Sequence, residues 1–318
     1  MINNVFIVIR SAKERTEKLC KQLVLEQGIP NVNVFIINER PFSAAMRKGF
    51  ELGIDSGCEW TYCVDADVLL CPGSISAMLS IAQGQDKLVC EIQGVVYDKF
   101  FGGPRPAGNH FYRSSLLKEV IQRIPEEGVN VRPEYHTLQA MKADGFFWVD
   151  VGIPVGLHDS EQYLRDIYRK CFVQAHKHAY LAEMFVETWR SQSSYDADMR
   201  VALAGFGDGI KHAGEVRIDT RQAYYAVALD QLGLEEKVPI DLSSWNGKRI
   251  SQIISDWQIS ELFRKYFPLS EATNIIPNRS RLDRLREQIS KRGPLIGAVY
   301  LGGAVLNKIG DKVMRLCN

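Results

Sequence analysis

Three short apolar runs near the start of the chain constrain its fold most. They are Asn4–Arg10 (NVFIVIR), Val32–Asn38 (VNVFIIN) and Trp60–Val64 (WTYCV). Runs of this length, rich in β-branched residues and without polar alternation, read as strands buried on both faces. Helical segments separate them. Ser11 followed by Glu14 is a capping box and predicts a helix starting there, with Leu19, Leu23 and Val24 on its buried face and Gly28 and Pro30 at its end. Pro41 opens a second helix that gathers Phe42, Ala45, Met46, Gly49, Phe50 and Gly53 on one face. Pro72 and Gly73 lead into a third, SISAMLSIA. This alternation predicts an open α/β sheet, mostly parallel. Ligands of such sheets sit outside the carboxyl ends of the strands. Here those ends are Arg10-Ser11, Asn38-Glu39 and Asp65-Ala66-Asp67.

Further along, Leu88–Tyr97 reads as a strand, 101–110 as a Gly/Pro loop and 111–124 as a helix. Glu134–Ala143 reads as a helix and Phe146–Leu157 as a strand closing on His158-Asp159. The stretch 160–190 is amphipathic and helical, the glycines at 205, 207 and 209 suggest turns, and 250–267 suggests one more helix. The expected organisation is a core over 1–160, a helical extension over 161–275 and a tail over 276–318.

Of 318 residues, 46% are hydrophobic and 24% charged, which excludes disordered, collagen-like and coiled-coil classes. A net charge of only +1 argues against a nucleic-acid partner. The charge is unevenly spread. Residues 279–318 carry nine basic and three acidic groups, whereas the rest carries 30 basic and 35 acidic. Within this tail Leu295, Val299, Gly302, Leu306, Ile309 and Val313 form an apolar stripe at helical spacing, with Lys308, Lys312 and Arg315 beside it. That pattern suits a helix lying on an anionic membrane surface, or one docking on the protein or on a second copy of it. The apolar part, Leu295–Leu306, is too short to span a bilayer. Seven cysteines, odd in number and without a CxxC pair, read as free thiols in a reducing compartment. The first residues read as a strand rather than a signal peptide, so the expected location is cytoplasmic.

Asp65-Ala66-Asp67 follows its strand directly. Two carboxylates in an i, i+2 relation at a strand end can share one divalent cation, and hard oxygen ligands suit Mg²⁺ or Mn²⁺ bound to a diphosphate. No GxGxxG and no GxxxxGK[ST] follows the first strand, which weighs against dinucleotide and ATPase readings.

The segments VFIVIRSAKER, VFIINERPFSAAMRKGFELG and WTYCVDADVLLCPGSI, in that order, resemble the GT-A fold glycosyltransferases, especially the inverting family-two type. The later FGG and PEYHTLQAMKADGFFWVDVGIPVGLHD segments are similar to the acceptor half of such enzymes. The resemblance covers about the first 160 residues. It implies a Rossmann-like GT-A core with a C-terminal helical extension, and transfer of a sugar from a nucleotide-sugar donor to a hydroxyl on a glycan or lipid-linked acceptor, with inversion. In that case Asp65 would contact the ribose or the metal-bound diphosphate, and Asp67 and His158 would ligate Mn²⁺ or Mg²⁺. Arg10, Ser11 and Arg15 would lie along the nucleotide, Glu39 near its base, and Arg47 or Lys48 near the diphosphate. Glu134 would be the general base. It departs from the family pattern, in which two acids are often adjacent, because Pro133 and Tyr135 flank it. Asp159 and Glu161 are rivals for that role, and His136 reads as a surface residue. His176 and His178, two apart on a helix, face different ways. Two alternatives stand beside this reading: a nucleotidyltransferase that forms nucleotide sugars, and a catalytically silent membrane-bound scaffold.

Overall fold

The computed structural model describes residues 2–218 and 224–267. The predicted basic tail, 276–318, lies outside the described residues. Met1–Asn274 forms one compact unit. In chain order its elements are β1 (Val5–Arg10), α1 (Glu17–Leu25), β2 (Val34–Ile37), α2 (Phe42–Asp55), β3 (Trp60–Asp65), β4 (Val68–Leu70), α3 (Ser74–Gln83), β5 (Val89–Asp98), β6 (Gly103–Pro106), β7 (Asn109–Arg113), α4 (Leu117–Ile121), α5 (Pro133–Ala143), β8 (Phe147–His158), α6 (Leu164–Lys177), α7 (Ala182–Gln192), α8 (Ala197–Lys211), α9 (Tyr225–Gln231), α10 (Gly247–Ser255) and α11 (Glu261–Tyr266).

The strands form one sheet in the order β2-β1-β3-β7-β5-β8-β4, with β6 paired to β5. β1, β2 and β3 pair in parallel, as do β5 and β8, whereas β7, β4 and β6 run antiparallel to their neighbours. The expected α/β class and one-directional majority are therefore present. The sheet has two faces of apolar packing. Ile7, Ile9, Tyr62, Val64 and Phe111 point into one cluster. Phe6, Val8, Cys63 and Tyr112 point into the other, with Met46 and Phe50 of α2. That period-two division along β1, β3 and β7 is the signature of a strand covered on both sides.

Four expectations need correction. The helix after β1 does not begin at Ser11. Lys13 has φ of 68°, in the left-handed region, and the helix starts at Glu17. Ser11 and Glu14 bond to each other and to local amides, forming a short loop at the end of β1. Residues 109–113 are a strand, because β3 and β5 both pair with them and this tertiary partnership outweighs local propensity. The stretch 250–267 is two helices. Asn246 caps α10 by accepting from the Arg249 amide, and Ser260 caps α11 by accepting from the Phe263 amide.

The glycines at 205, 207 and 209 lie inside α8, where they serve contact rather than turning. A Cβ on Gly205 would stand 2.4 Å from the Tyr168 carbonyl oxygen, and one on Gly209 2.5 Å from that of Phe172. The missing side chains let α8 lie directly against α6. Alanine is the better helix former by about 1 kcal/mol, yet Gly205→Ala is expected to lower the melting temperature. Overpacking of this kind typically costs about 1–3 kcal/mol, and here the obstacle is backbone. A thermal melt showing a rise would refute so close a crossing.

α6 to α9 and α11 share their own core around Tyr168, Phe185, Trp189 and Phe206. The Trp189 indole N–H donates to the Phe100 carbonyl at 2.8 Å and fastens this helical layer to the loop after β5. α6 is thereby laid across the carboxyl ends of the strands.

Candidate active site

Parallel register gathers charge at those ends. Arg10 is level with Asp65 across β1 and β3, and Asp98 with His158 across β5 and β8. Gly108, with φ of 61°, brings the β6–β7 turn close. A Cβ there would lie 2.8 Å from Val68 and 3.3 Å from both Asp65 and His158. The cleft above these ends is lined by Arg10, Ser11, Glu14, Glu39, Asp65, Asp67, His158 and Asp159 from the sheet side, by Arg105, and by Arg169, Lys170, Gln174 and Lys177 from α6. Its open space is about 980 Å³, which includes solvent at the mouth.

Two charge networks line the floor. In the first, the buried Arg10 guanidinium holds Asp65 Oδ1 at 2.7 Å and Glu134 Oε1 at 2.5 Å. His110 continues the chain, with Nε2 3.1 Å from Glu134 Oε2 and Nδ1 3.0 Å from Glu91 Oε1. Burial opposes charge on Glu134, but Arg10 and His110 prevail and hold its carboxyl well below the usual range. A carboxylate so stabilised is a weak proton acceptor. Glu134, expected as the base, is engaged by Arg10 and His110. Burial would likewise lower His110, yet Glu134 and Glu91 push it up to about 10.

In the second network, Asp67, His158 and Asp159 offer one ligand atom each, all within 4.8 Å of one another. Asp98, fully buried, receives His158 Nδ1 at 2.8 Å, which turns Nε2 toward Asp67 Oδ1, 3.5 Å away. A carboxylate behind a ligating histidine fixes its tautomer and orientation in just this way. Asp98 is itself held by Arg105 at 2.8 Å and by the Phe100 and Phe101 amides. Burial disfavours charge on His158, but Asp159, Asp67 and Asp98 raise it to about 9. Burial would raise Asp67, and Lys170 and His158 instead bring it to about 2. Asp159 sits at a φ of 60°, a conformation costly for a non-glycine residue.

These residues fit a divalent cation. Asp67 Oδ1 is buried and accepts no hydrogen bond among the described residues, and the donor set is two hard carboxylates and one imidazole. The set differs from the expected one. Asp159 stands with Asp67 and His158, whereas Asp65 is engaged by Arg10.

The remaining expected residues divide. Arg10, Ser11 and Glu39 line the cleft. Arg15 reaches away from it, to Glu161 and the Val238 carbonyl. Arg47 spends its guanidinium on the Ile121 and Ile124 carbonyls, and Lys48 is solvent-exposed outside the cleft. The basic side chains that line the cleft from α6 are Arg169, Lys170 and Lys177. Lys177 faces the cleft and makes no ion pair among the described residues. Burial, Arg105 and Arg132 lower it to about 8. His136 is exposed, and His176 and His178 have different partners, His212 and Gln174.

Sequence reading missed Asp98, Lys170 and Lys177. Asp98 carried a usable signal, an acid closing an apolar run like Asp65. The lysines carried none, since they sit on a helix whose placement depends on the α6–α8 contact.

The sequence matches no protein-family profile and no curated protein. Among solved structures, the chain is similar to a mannosyltransferase from Pyrobaculum calidifontis in complex with GDP-Man and Mn²⁺, at 10% identity, TM-score 0.37, and coverage of 83% of this chain and 82% of that one. It is also similar to a glycosyltransferase involved in glycosylation of the major capsid of PBCV-1, at 16% identity and TM-score 0.34 over 46% of this chain and 81% of the other. A cytidylyltransferase from Leptospira borgpetersenii aligns at 10% identity and TM-score 0.34, over 62% of this chain and 96% of its own.

Proposed function

We propose that this chain is a metal-dependent glycosyltransferase that moves a sugar from a nucleoside-diphosphate donor to a hydroxyl acceptor. The observation that carries the reading is the Asp67–His158–Asp159 cluster, set at the strand ends beside a cleft walled by Arg105, Arg169, Lys170 and Lys177. Departure of a nucleoside diphosphate leaves negative charge on two phosphates, and a cation with fixed basic side chains stabilises it. Mn²⁺ or Mg²⁺ held by Asp67, His158 and Asp159 would supply that stabilisation. Lys177, without an acidic partner among the described residues, suits a phosphate oxygen. Ser11, Glu39 and the Arg10–Asp65 pair offer polar partners for ribose and base.

The acceptor hydroxyl must lose a proton as it attacks. Glu14 lines the cleft, and burial and the nearby Asp67 push it up to about 7. The basic tail after residue 275 would bring the enzyme to an anionic membrane bearing a lipid-linked acceptor.

The test is a thermal-shift screen of nucleoside mono-, di- and triphosphates with Mn²⁺ or with EDTA. One nucleoside diphosphate is expected to stabilise the protein in Mn²⁺ and to lose that effect in EDTA. A ligand bound at about 100 times its Kd adds about 2.7 kcal/mol, which is readily visible. A preference for a triphosphate would redirect the reading to nucleotidyl transfer, and no metal-dependent shift with any nucleotide would end it.

A further inference from the structure

Lys170 projects from α6 into the space between Asp67 and Asp159. Its ammonium contacts Asp67 Oδ2 and Asp159 Oδ1 directly. It is the only lysine among the described residues paired with either of these acids. These are two of the three groups that converge for a cation. The remaining Asp67 oxygen is buried and accepts no hydrogen bond among the described residues. A flexible four-carbon stem carrying a point charge is the side chain best able to occupy such a position and to leave it.

Resting on the glycosyltransferase reading, we propose that Lys170 is a tethered counter-cation that occupies the divalent-cation position and is displaced when the metal binds. Three observations support it. The ammonium and a metal would be held by the same two carboxylates, so they compete for the same negative charge. Two carboxylates this close repel, and Lys170 neutralises them in the metal-free protein, keeping the cluster assembled. Finally, Lys170, Gln174 and Lys177 occupy successive turns on the cleft side of α6. An ammonium released from the acids stays on the wall where the donor phosphates would lie. Metal entry therefore recruits a basic group to the phosphates as it removes one from the acids.

The experiment is calorimetric titration of the full chain with MnCl₂, without nucleotide. Lys170→Met is expected to bind Mn²⁺ more tightly than wild type, on the order of 10- to 100-fold, the scale on which groups bonded to ligating residues tune metal sites. Lys170→Arg, which keeps the charge, is expected to show no such gain. Equal or weaker binding by Lys170→Met overturns the displacement proposal and leaves the metal reading intact. Absence of Mn²⁺ binding in both wild type and variant overturns both. If Lys170→Met fails to fold, reductive methylation of wild type followed by mass spectrometry gives the answer. Lys170 is expected to be protected in EDTA and modified several-fold faster in saturating Mn²⁺. Metal binding with unchanged Lys170 modification overturns the proposal.

Discussion

On the proposed function, Asp67→Asn is expected to abolish Mn²⁺-dependent stabilisation by nucleoside diphosphate and to reduce sugar transfer by about 100-fold or more, because a metal supplies several kcal/mol of charge stabilisation in such reactions. The substitution preserves shape and removes the anionic donor on which the cluster depends. Asp67 is 5% exposed and lies between Lys170 and His158. Loss of its charge leaves Lys170 to Asp159 alone, so the apo fold has a remaining ion pair and the effect on ligand binding is separable from unfolding. The measurements are the thermal-shift response with Mn²⁺ and with EDTA, and transfer to acceptor under saturating donor. A variant that keeps its metal-dependent shift would remove Asp67 from the site. Asp98→Asn is the companion case, since it loosens the His158 ring without touching a ligand.

The second large effect falls on stability. Arg10→Met is expected to destabilise the fold by about 3–5 kcal/mol, the usual consequence of removing one partner from a buried ionic network. For a unit of this size that corresponds to a fall in melting temperature on the order of 10 °C. Arg10 is 4% exposed, touches Asp65 and Glu134, and has its guanidinium 5.0 Å from the Phe42 ring centre. Without it, two carboxylates remain at the floor with only His110 to balance Glu134. Adding Glu134→Gln to Arg10→Met should recover part of the loss, because one uncompensated charge disappears. A single variant that melts with the wild type would show that the network contributes nothing net.

The same network predicts a pH profile. Glu134 is depressed in the folded protein, so its contribution is present above about 4.5, its ordinary value, and disappears as pH falls toward its folded value. His110 is raised to about 10, so its contribution is complete below about 6.5 and disappears as pH rises through 10. The stability gap between wild type and Glu134→Gln should therefore be widest between these limits and shrink on either side. Equilibrium denaturation of both proteins across that range measures it.

Local sequence pattern determined the first quarter of the molecule. Apolar runs of five to seven residues have few ways to hide both faces other than as central strands, so β1, β2 and β3 and the helices between them were readable, and with them the acidic strand end. The glycines of α8 and the strand at 109–113 were misread for one reason: each owes its conformation to a distant partner. Gly205 is helical because Tyr168 must come close, and His110 is in a strand because β3 and β5 flank it.

The site divides along the same line. Asp65, Asp67 and His158 could be named because each closes an apolar run, and chain direction alone puts such residues at one edge of the sheet. Which carboxylates lie together, and which are already neutralised, could not be read. That depends on distances of a few ångströms set by sheet register and by the seating of α6. Electrostatic energy varies steeply over such distances. Tertiary packing assigned Asp65 and Glu134 to Arg10, left Asp67 and Asp159 facing His158, and laid Lys170 between them.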